Sequence, residues 1–295
     1  MHLTEETREK LRTLPAWLKG QIIGQELAID LVAERLQHGE LGLTAPGRPK
    51  ASFLFLGPTG VGKTELSQQF TLRLLGPDKL VRLDMSEYQQ PERIPLLLER
   101  IRAGFDCCGG TGTLLFDEIE KAHRQVLDIL LQLLDAARLT TGENRTLDFT
   151  SWYVVLTSNL GAPRIMAMRR SKYETMERLV RQDAQRELRP EIFARVTAAV
   201  VFDRLHYETQ CQIAAAMVRK EVAGQAGRHG FQLSADHQIV DTVIQHGYQE
   251  RLGARPMRDA TERLVRNALA ADLLAGGVGA GRLRAHPQGT SLLLE

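Results

Sequence analysis

The feature that most constrains the fold is a glycine-rich segment placed between an apolar run and a helix-forming run. Residues 57–64 read Gly-Pro-Thr-Gly-Val-Gly-Lys-Thr, which fits the pattern G-x-x-x-x-G-K-[ST] of a phosphate-binding loop. Residues 52–56 are apolar and aromatic, as in a buried strand, and residues 65–75 are rich in helix formers. The motif requires this strand–loop–helix order, which argues against an accidental match to a glycine-rich turn.

The chemistry of such a loop assigns roles to its residues. Glycines let the backbone approach phosphates, and the following helix N-terminus offers free N–H groups and a positive dipole. Lys63 is expected to reach the β- and γ-phosphates of a nucleotide, and Thr64 to bind Mg²⁺. The loop residues expected to surround the phosphates are Pro58, Thr59, Gly60, Val61 and Gly62.

Two later strand ends supply polar groups that suit the same site. Residues 113–116 are apolar and are followed by Asp117 and Glu118, which could position Mg²⁺ and activate a water as a general base. A third apolar strand, residues 152–157, runs into Asn159, which could hydrogen-bond the attacking water or the γ-phosphate. An acidic strand end and a Ser-Asn turn are each common alone, so the argument depends on their following the loop in a β-α-β pattern.

Bulk composition narrows the class of protein. Lys+Arg 38 against Asp+Glu 36 gives a net charge of +2, so no nucleic-acid partner is expected. The three cysteines, Cys107, Cys108 and Cys211, are too few for a disulfide framework, which favours a reducing compartment. No apolar run is long enough to span a membrane and the N-terminus is charged, so a cytoplasmic protein is predicted.

The order of apolar and helical runs predicts an α/β core followed by a helical domain. Strands at residues 52–56, 80–83, 113–116, 152–157 and 199–202 alternate with helical patterns, which is typical of a parallel sheet covered by helices. After Leu205 helical segments dominate, and residues 282–285 and 291–294 are predicted to pair as strands. We expect a nucleotide-binding domain over residues 1–205, with a helical lead-in at 1–20, and a small domain over 206–295.

Arginines matter because a guanidinium stabilises the charge that spreads over the γ-phosphate oxygens during phosphoryl transfer. Composition alone does not choose among Arg189, Arg195, Arg255 and Arg258. Residues 164–195 are rich in arginine, but nearby carboxylates balance the charge, so a solvated helix face is favoured over a nucleic-acid patch.

Several longer motifs, in order along the chain, resemble one family. The chain is similar to AAA+ ATPases of the Clp/heat-shock unfoldase branch, and within it to the second ATPase module of ClpB and ClpA. The resemblance runs from about Ile22 to the C-terminus. The matching motifs are IIGQELA at 22–28, FLFLGPTGVGKTEL at 53–66, DMSEY at 84–88, FDEIEKAH at 116–123, TSNLG at 157–161 and GARP at 253–256.

The resemblance implies roles for individual residues that composition alone could not assign. Ile22 and Ile23 would line the adenine pocket of bound ATP, and Asn159 would be the sensor residue. Arg195 would be an arginine finger reaching the ATP of a neighbouring subunit, and Arg255 a second sensor that closes the helical domain on the γ-phosphate. A finger supplied to a neighbour implies a ring, by family a hexamer. Lys63, Thr64, Asp117 and Glu118 would keep the phosphate, Mg²⁺ and water-activating roles.

The sequence also departs from the family pattern. In the unfoldases the stretch between the counterparts of Tyr88 and Asp117 is longer and carries a Gly-Tyr-Val-Gly-type pore loop that grips the threaded polypeptide. No such tetrapeptide occurs here. Apart from Phe116, which ends the predicted strand before Asp117, Phe105 is the single aromatic residue between those two positions. No Ile-Gly-Phe-type peptidase-docking tripeptide occurs, and Ala194 stands where the family has an Asn before the finger.

Three functions therefore remain open. The first is an active Mg²⁺-dependent ATPase ring that remodels or assembles a protein partner. The second is a nucleotide-switched scaffold or assembly factor that does not thread polypeptide, which the missing pore loop motivates. The third, a DNA-associated motor, is the least favoured because the charge is balanced.

Overall fold

The computed structural model describes residues 4–141, 145–287, 289 and 291–295. Contacts between Cα atoms divide the chain into two compact units. The first comprises residues 1–58 and 62–203, and the second comprises residues 59–61 and 204–295. The second unit thus includes three residues of the glycine-rich loop.

The first unit alternates helices and strands. Its helices are α1 (Glu5–Arg12), α2 (Leu14–Gln21), α3 (Glu26–Glu40), α4 (Lys63–Leu75), α5 (Ile94–Cys108), α6 (Arg124–Ala136), α7 (Ala162–Ala167), α8 (Tyr173–Glu187) and α9 (Pro190–Arg195). Its strands are β1 (Ala51–Leu56), β2 (Leu80–Asp84), β3 (Thr113–Asp117), β4 (Arg138–Thr140), β5 (Thr146–Asp148), β6 (Tyr153–Ser158) and β7 (Ala198–Val201). Short 3₁₀ turns lie at Met85–Tyr88, Pro91–Arg93 and Ile119–Lys121.

Five of these strands form a parallel sheet in the order β2-β3-β6-β1-β7. Every residue of β1, β3 and β6 is buried, as expected for central strands with both faces covered. This confirms the predicted α/β sheet. Because the strands are parallel, their carboxyl ends meet at one edge, which carries the glycine-rich loop after β1, Asp117 at the end of β3, and Asn159 after β6.

Some elements differ from the sequence prediction. A second helix, α2, begins at Leu14, because Pro15 lies in its first turn, where a missing N–H breaks no hydrogen bond. One of the helical patterns between the predicted strands, at residues 93–102, extends to Cys108 as α5, and Gly109 takes a left-handed conformation and ends the helix. The pair β4–β5 was not predicted, since each strand has three residues and only the central one is buried.

The second unit is mostly helical, with α10 (Tyr207–His229), α11 (Ile239–Gly247) and α12 (Arg255–Leu274). A three-stranded sheet in the order β10-β9-β8 joins β8 (Gln232–Ala235), β9 (Ala280–Ala285) and β10 (Leu292–Leu294). The predicted terminal pair is confirmed as antiparallel β9–β10, whereas β8 was not predicted. Among the described residues, no helix is both long and apolar enough to cross a membrane.

A partly buried carboxylate ties α3 to the start of the central strands. Glu40 Oε1 accepts hydrogen bonds from the Tyr153 hydroxyl at 2.5 Å and from Lys50 Nζ at 2.8 Å. Burial first, and then the Glu40 charge, raises the pKa of Tyr153 well above its usual value. The phenol therefore stays protonated at neutral pH and can donate to Glu40.

Replacing Glu40 with Ala is expected to lower the free energy of unfolding by about 2–3 kcal/mol, because the buried phenol of Tyr153 and the partly buried ammonium of Lys50 lose their acceptor. Urea denaturation of the purified protein measures the change. Glu34→Ala on the same helix is the control, since Glu34 is half exposed and pairs with its chain neighbour Arg35 at 3.6 Å. A similar loss in both variants would contradict a structural role for the buried network.

Candidate active site

The glycine-rich loop and the start of α4 hold Lys63 in a nearly buried position. Its side chain points back along the loop, where Nζ donates to the carbonyl oxygens of Gly57 at 2.6 Å and Pro58 at 2.8 Å. A third bond, of 3.1 Å, reaches Asn159 Oδ1 at the end of β6. The structure thus brings together two residues that the sequence placed on separate strand ends.

Asp117 ends β3 as a nearly buried carboxylate with each oxygen engaged. The Thr157 hydroxyl on β6 donates to Oδ1. Oδ2 accepts from Arg82 on β2, at 3.1 Å from Nε and 2.6 Å from Nη2, and lies 3.5 Å from Thr64 Oγ1. The carboxylate is therefore oriented by two neighbouring strands and faces the first turn of α4.

This donor set fits Mg²⁺. Mg²⁺ prefers oxygen ligands and commonly takes one or two protein groups, with phosphate oxygens and waters completing its octahedron. The Asp117 carboxylate and the Thr64 hydroxyl supply such oxygens side by side. The geometry agrees with the predicted pairing of these residues at a metal site.

Glu118 has a left-handed backbone with φ of 59°, which is uncommon for a residue other than Gly, Asn or Asp. Its N–H donates to Thr157 Oγ1 at 3.2 Å, its Oε1 accepts from Asn159 Nδ2 at 3.4 Å, and its Oε2 is paired with Lys121. The bond from Lys121 to this carboxylate raises the pKa of Lys121. A strained backbone held by several contacts is typical of a functional position.

Asn159 links these groups through both ends of its amide. Oδ1 accepts from Lys63 and Nδ2 donates to Glu118, while its backbone N–H donates to Glu120 Oε1 at 3.2 Å. A single side chain therefore contacts the lysine predicted to bind phosphate and the candidate base. This position suits a residue that senses a phosphate between them.

Ile22 and Ile23 lie where α2 ends, and Ile22 is buried next to the loop. A Cβ built on Gly62 would lie 3.2 Å from Ile22 Cγ2. The nearby Gln25 is nearly buried, and its amide exchanges two hydrogen bonds with the backbone of Asp203, at 2.9 and 3.1 Å. These two hydrogen bonds hold the segment after Ile22 and Ile23 against Asp203, which follows β7.

Within the second unit, the loop residues Thr59–Val61 pack on the turn before α12. The N–H of Ala254 donates to the Gly60 carbonyl at 3.2 Å. A Cβ on Gly60 would lie 2.1 Å from the Leu252 carbonyl oxygen, and one on Gly253 would lie 2.5 Å from the Thr59 carbonyl oxygen. Both glycines also have positive φ, so no other residue fits either position without distortion. Arg255 begins α12 with an exposed side chain.

Arg195 ends α9, and its guanidinium lies on α6. Its Nε donates to Asp135 Oδ2 at 2.5 Å and its Nη1 to the Glu191 carbonyl at 3.2 Å. At the other end of α9, Arg189 donates to Asp128 Oδ1 at 2.5 Å. Two aspartates on one face of α6 therefore hold both ends of α9.

The predicted residues have further partners to which the sequence motifs assigned no role, among them Arg82, Lys121, Thr157 and Asp135. Two signals were available. Lys121 follows Glu118 at the i,i+3 spacing of a single helical turn, and Thr157 precedes Asn159 on a strand already predicted. Arg82 and Asp135 carried no local signal, since strand register and helix packing bring them to their partners.

Two protein families match the chain. The family described as "AAA domain (Cdc48 subfamily)" matches residues 48–199, and "C-terminal, D2-small domain, of ClpB protein" matches residues 205–283. The order of a AAA domain followed by a small domain from the second ClpB module confirms the resemblance that the sequence motifs indicated.

Individual relatives agree with the family matches. The chaperone protein ClpB of Vibrio vulnificus (strain YJ016) is 36% identical over 289 residues, which cover 94% of this chain and 34% of the relative. That of Meiothermus ruber is 38% identical over 296 residues, with 95% and 34% covered. A closed-state cryo-EM reconstruction of Hsp104 with ATPyS and FITC casein has a TM-score of 0.88 and 29% identity, covering 99% of this chain and 52% of that one. The chain thus spans about a third of the length of the curated relatives it matches.

Proposed function

Since this chain belongs to the AAA family of ATPases, in its Clp branch, we propose that it binds Mg²⁺ and ATP at the loop of residues 57–64 and hydrolyses ATP there. One observation carries the proposal. Lys63, Asn159 and Glu118 form a continuous chain of contacts beside the Asp117–Thr64 pair, at one sheet edge. Phosphate binding, metal binding and water activation need these groups in one place.

Each residue then has one task. The loop residues from Pro58 to Gly62 and Lys63 bind the phosphates, while Thr64 and Asp117 hold Mg²⁺, which would neutralise charge on the β- and γ-phosphate oxygens. Glu118 accepts a proton from the water that attacks the γ-phosphorus, and the products are ADP and inorganic phosphate. Asn159 contacts the γ-phosphate, and Ile22 and Ile23 pack on the adenine.

Two arginines complete the proposed site. Arg195 reaches the ATP of a neighbouring subunit in a hexameric ring, and Arg255 serves as the second sensor from the small domain. We assign the nucleotide-binding domain to residues 1–205 and the small domain to 206–295.

The test of the catalytic proposal is Mg²⁺-dependent ATP turnover by the purified chain over a range of protein concentrations. Turnover that requires Mg²⁺ and disappears in Lys63→Ala supports the proposal. Undetectable turnover by the wild type at every concentration would overturn it.

We further propose that the ring acts on a protein partner, by remodelling or assembling it. The similar Hsp104 reconstruction was obtained with casein, and the two ClpB relatives described above are called chaperone proteins, which supports a protein client. The second candidate is a nucleotide-switched assembly factor that does not thread polypeptide. It is favoured because the stretch between Tyr88 and Asp117 lacks the pore-loop tetrapeptide. There the chain passes through the turn Pro91–Arg93 directly into α5.

Phe105 does not supply a substitute for the missing pore loop, because its partly buried ring packs against the core. Its ring stacks on Trp152 with centroids 5.4 Å apart and an interplanar angle of 11°, and it meets Phe149 edge-on at 5.1 Å. A ring held between two buried aromatic side chains is not free to grip a polypeptide. A threading assay on a tagged, unstructured substrate separates the two candidates, since robust unfolding would exclude the assembly factor.

Phe105→Ala is therefore expected to lower the free energy of unfolding by about 2–3 kcal/mol, the effect of removing a partly buried ring that contacts two buried aromatic side chains. Phe105→Leu keeps most of the apolar volume and should recover more than half of the loss. Chemical denaturation of the three proteins measures this. If Phe105→Ala left stability unchanged but abolished action on a client, the ring would belong to a gripping surface instead.

A further inference from the structure

Arg82 occupies the side of Asp117 that faces Thr64. Strands β2 and β3 pair in parallel with Asp84 opposite Asp117, so Arg82 lies two residues before the end of β2. From there its guanidinium gives two hydrogen bonds to Asp117 Oδ2, at 2.6 and 3.1 Å. The same oxygen is the one 3.5 Å from Thr64 Oγ1. The proposed metal ligand therefore already has a cation from its own chain.

Asp117 has no second carboxylate oxygen that could bind the metal in place of Oδ2. Its other oxygen, Oδ1, accepts the Thr157 hydroxyl, so Oδ2 is the oxygen that faces the metal position. The Asp117 side chain is only 11% exposed, whereas that of Arg82 is 46% exposed and has solvent to move into. A positive charge beside a divalent cation opposes its binding, and the opposition is stronger near a buried group than in open water.

Arg82 also has a second acidic neighbour. The pKa of Asp84 is lowered, first by its hydrogen bonds from Ser86 and to a smaller extent by the charges of Arg82 and Lys121. Asp84 lies beside Asp117 in the strand register. The guanidinium therefore has an ionised carboxylate to turn toward when it leaves Oδ2.

We propose that Arg82 is a positioning residue that neutralises and orients Asp117 before the nucleotide binds, and that it competes with Mg²⁺ for Oδ2. The metal concentration needed to load nucleotide is consequently set by Arg82 as well as by the ligands themselves. This inference rests on the proposed binding of Mg²⁺ with ATP at the same site. It assigns a function to a residue that no part of the phosphate-loop motif includes.

The test is a Mg²⁺ titration of the binding of a fluorescent ADP, followed without any turnover. Arg82→Gln and Arg82→Met both remove the charge, and each is expected to lower the Mg²⁺ concentration at half-saturation by about three- to tenfold. Arg82→Lys, which retains the charge, should move the midpoint back toward the wild type. Arg100→Gln is the matched control, because Arg100 is 47% exposed and pairs with Glu87 at 2.9 Å.

The outcomes are distinguishable. An unchanged or higher Mg²⁺ midpoint in either folded charge-removing variant would overturn the competition, as would an equal shift in Arg100→Gln. Thermal unfolding without nucleotide establishes that each variant is folded. If the wild type bound no ADP at any Mg²⁺ concentration, the proposed function itself would fail, whatever the behaviour of Arg82.

Discussion

Replacing Glu118 with Gln is expected to lower ATP turnover by about 10²–10⁴-fold, the usual contribution of a general base. The amide cannot accept the proton of the attacking water, yet it keeps the size of the carboxylate. Binding of ATP should persist, because Lys63 and the loop residues are unchanged. Steady-state phosphate release and equilibrium binding of a fluorescent ATP analogue measure the two effects separately.

The contacts of Glu118 explain why this substitution isolates chemistry from folding. Oε1 accepts from Asn159 and Oε2 is paired with Lys121. In the Gln variant the amide oxygen can still accept the bond from Asn159, while the pairing with Lys121 loses its charge. Since the Lys121 side chain is 47% exposed, solvent can take over its hydrogen bonds, and stability should change by less than about 1 kcal/mol.

Glu87→Gln is the control for Glu118→Gln. Glu87 is a half-exposed carboxylate on the turn after β2 and pairs with Arg100 rather than with the site, so turnover should stay within about twofold of the wild type. Lys63→Ala is the complementary variant, in which nucleotide binding is lost together with turnover. Full turnover by Glu118→Gln would show that another group activates the water.

The predictable parts of the fold are those encoded by local pattern. The strands β1, β3 and β6 were predicted because burial on both faces makes their sequences continuous apolar runs. The sheet order was not predicted, because strand pairing depends on how helices pack against the whole sheet. The antiparallel pair β4–β5 was not predicted, because a three-residue strand is too short to show an alternation of apolar and polar residues.

The residues of the candidate site also separate into those that a local motif predicts and those that only strand pairing or helix packing brings together. Lys63 and Thr64 are fixed by a motif whose spacing is itself the chemical requirement, and Asp117 follows from an apolar run that ends in an acid. Arg82 reaches Asp117 only because two strands pair in one register, and Asp135 reaches Arg195 only because α6 packs on α9. No local pattern records such partners, so the structure was needed to find them.

Arg195→Ala is expected to lower turnover by about 10³-fold or more, within the range observed when an arginine finger is missing. Nucleotide affinity should change little, because the proposed role of the guanidinium is to stabilise charge that develops in the transition state of a neighbour's ATP. Arg186→Ala is the control: Arg186 is an arginine with a 78% exposed side chain on the preceding helix, and its removal should leave turnover unchanged.

Mixing two inactive variants tests whether the finger acts between subunits. A Glu118→Gln subunit keeps Arg195 but lacks the base, and an Arg195→Ala subunit keeps the base but lacks the finger. Where one subunit of each kind is adjacent in a ring, a complete site forms, so the mixture should hydrolyse ATP faster than either variant alone.

Measuring the particle mass with a slowly hydrolysed ATP analogue establishes that rings are present. If rings form and the mixture stays inactive, or if a persistent monomer hydrolyses ATP at the full rate, Arg195 does not act in trans. Its bond to Asp135 would then be a structural contact between α9 and α6.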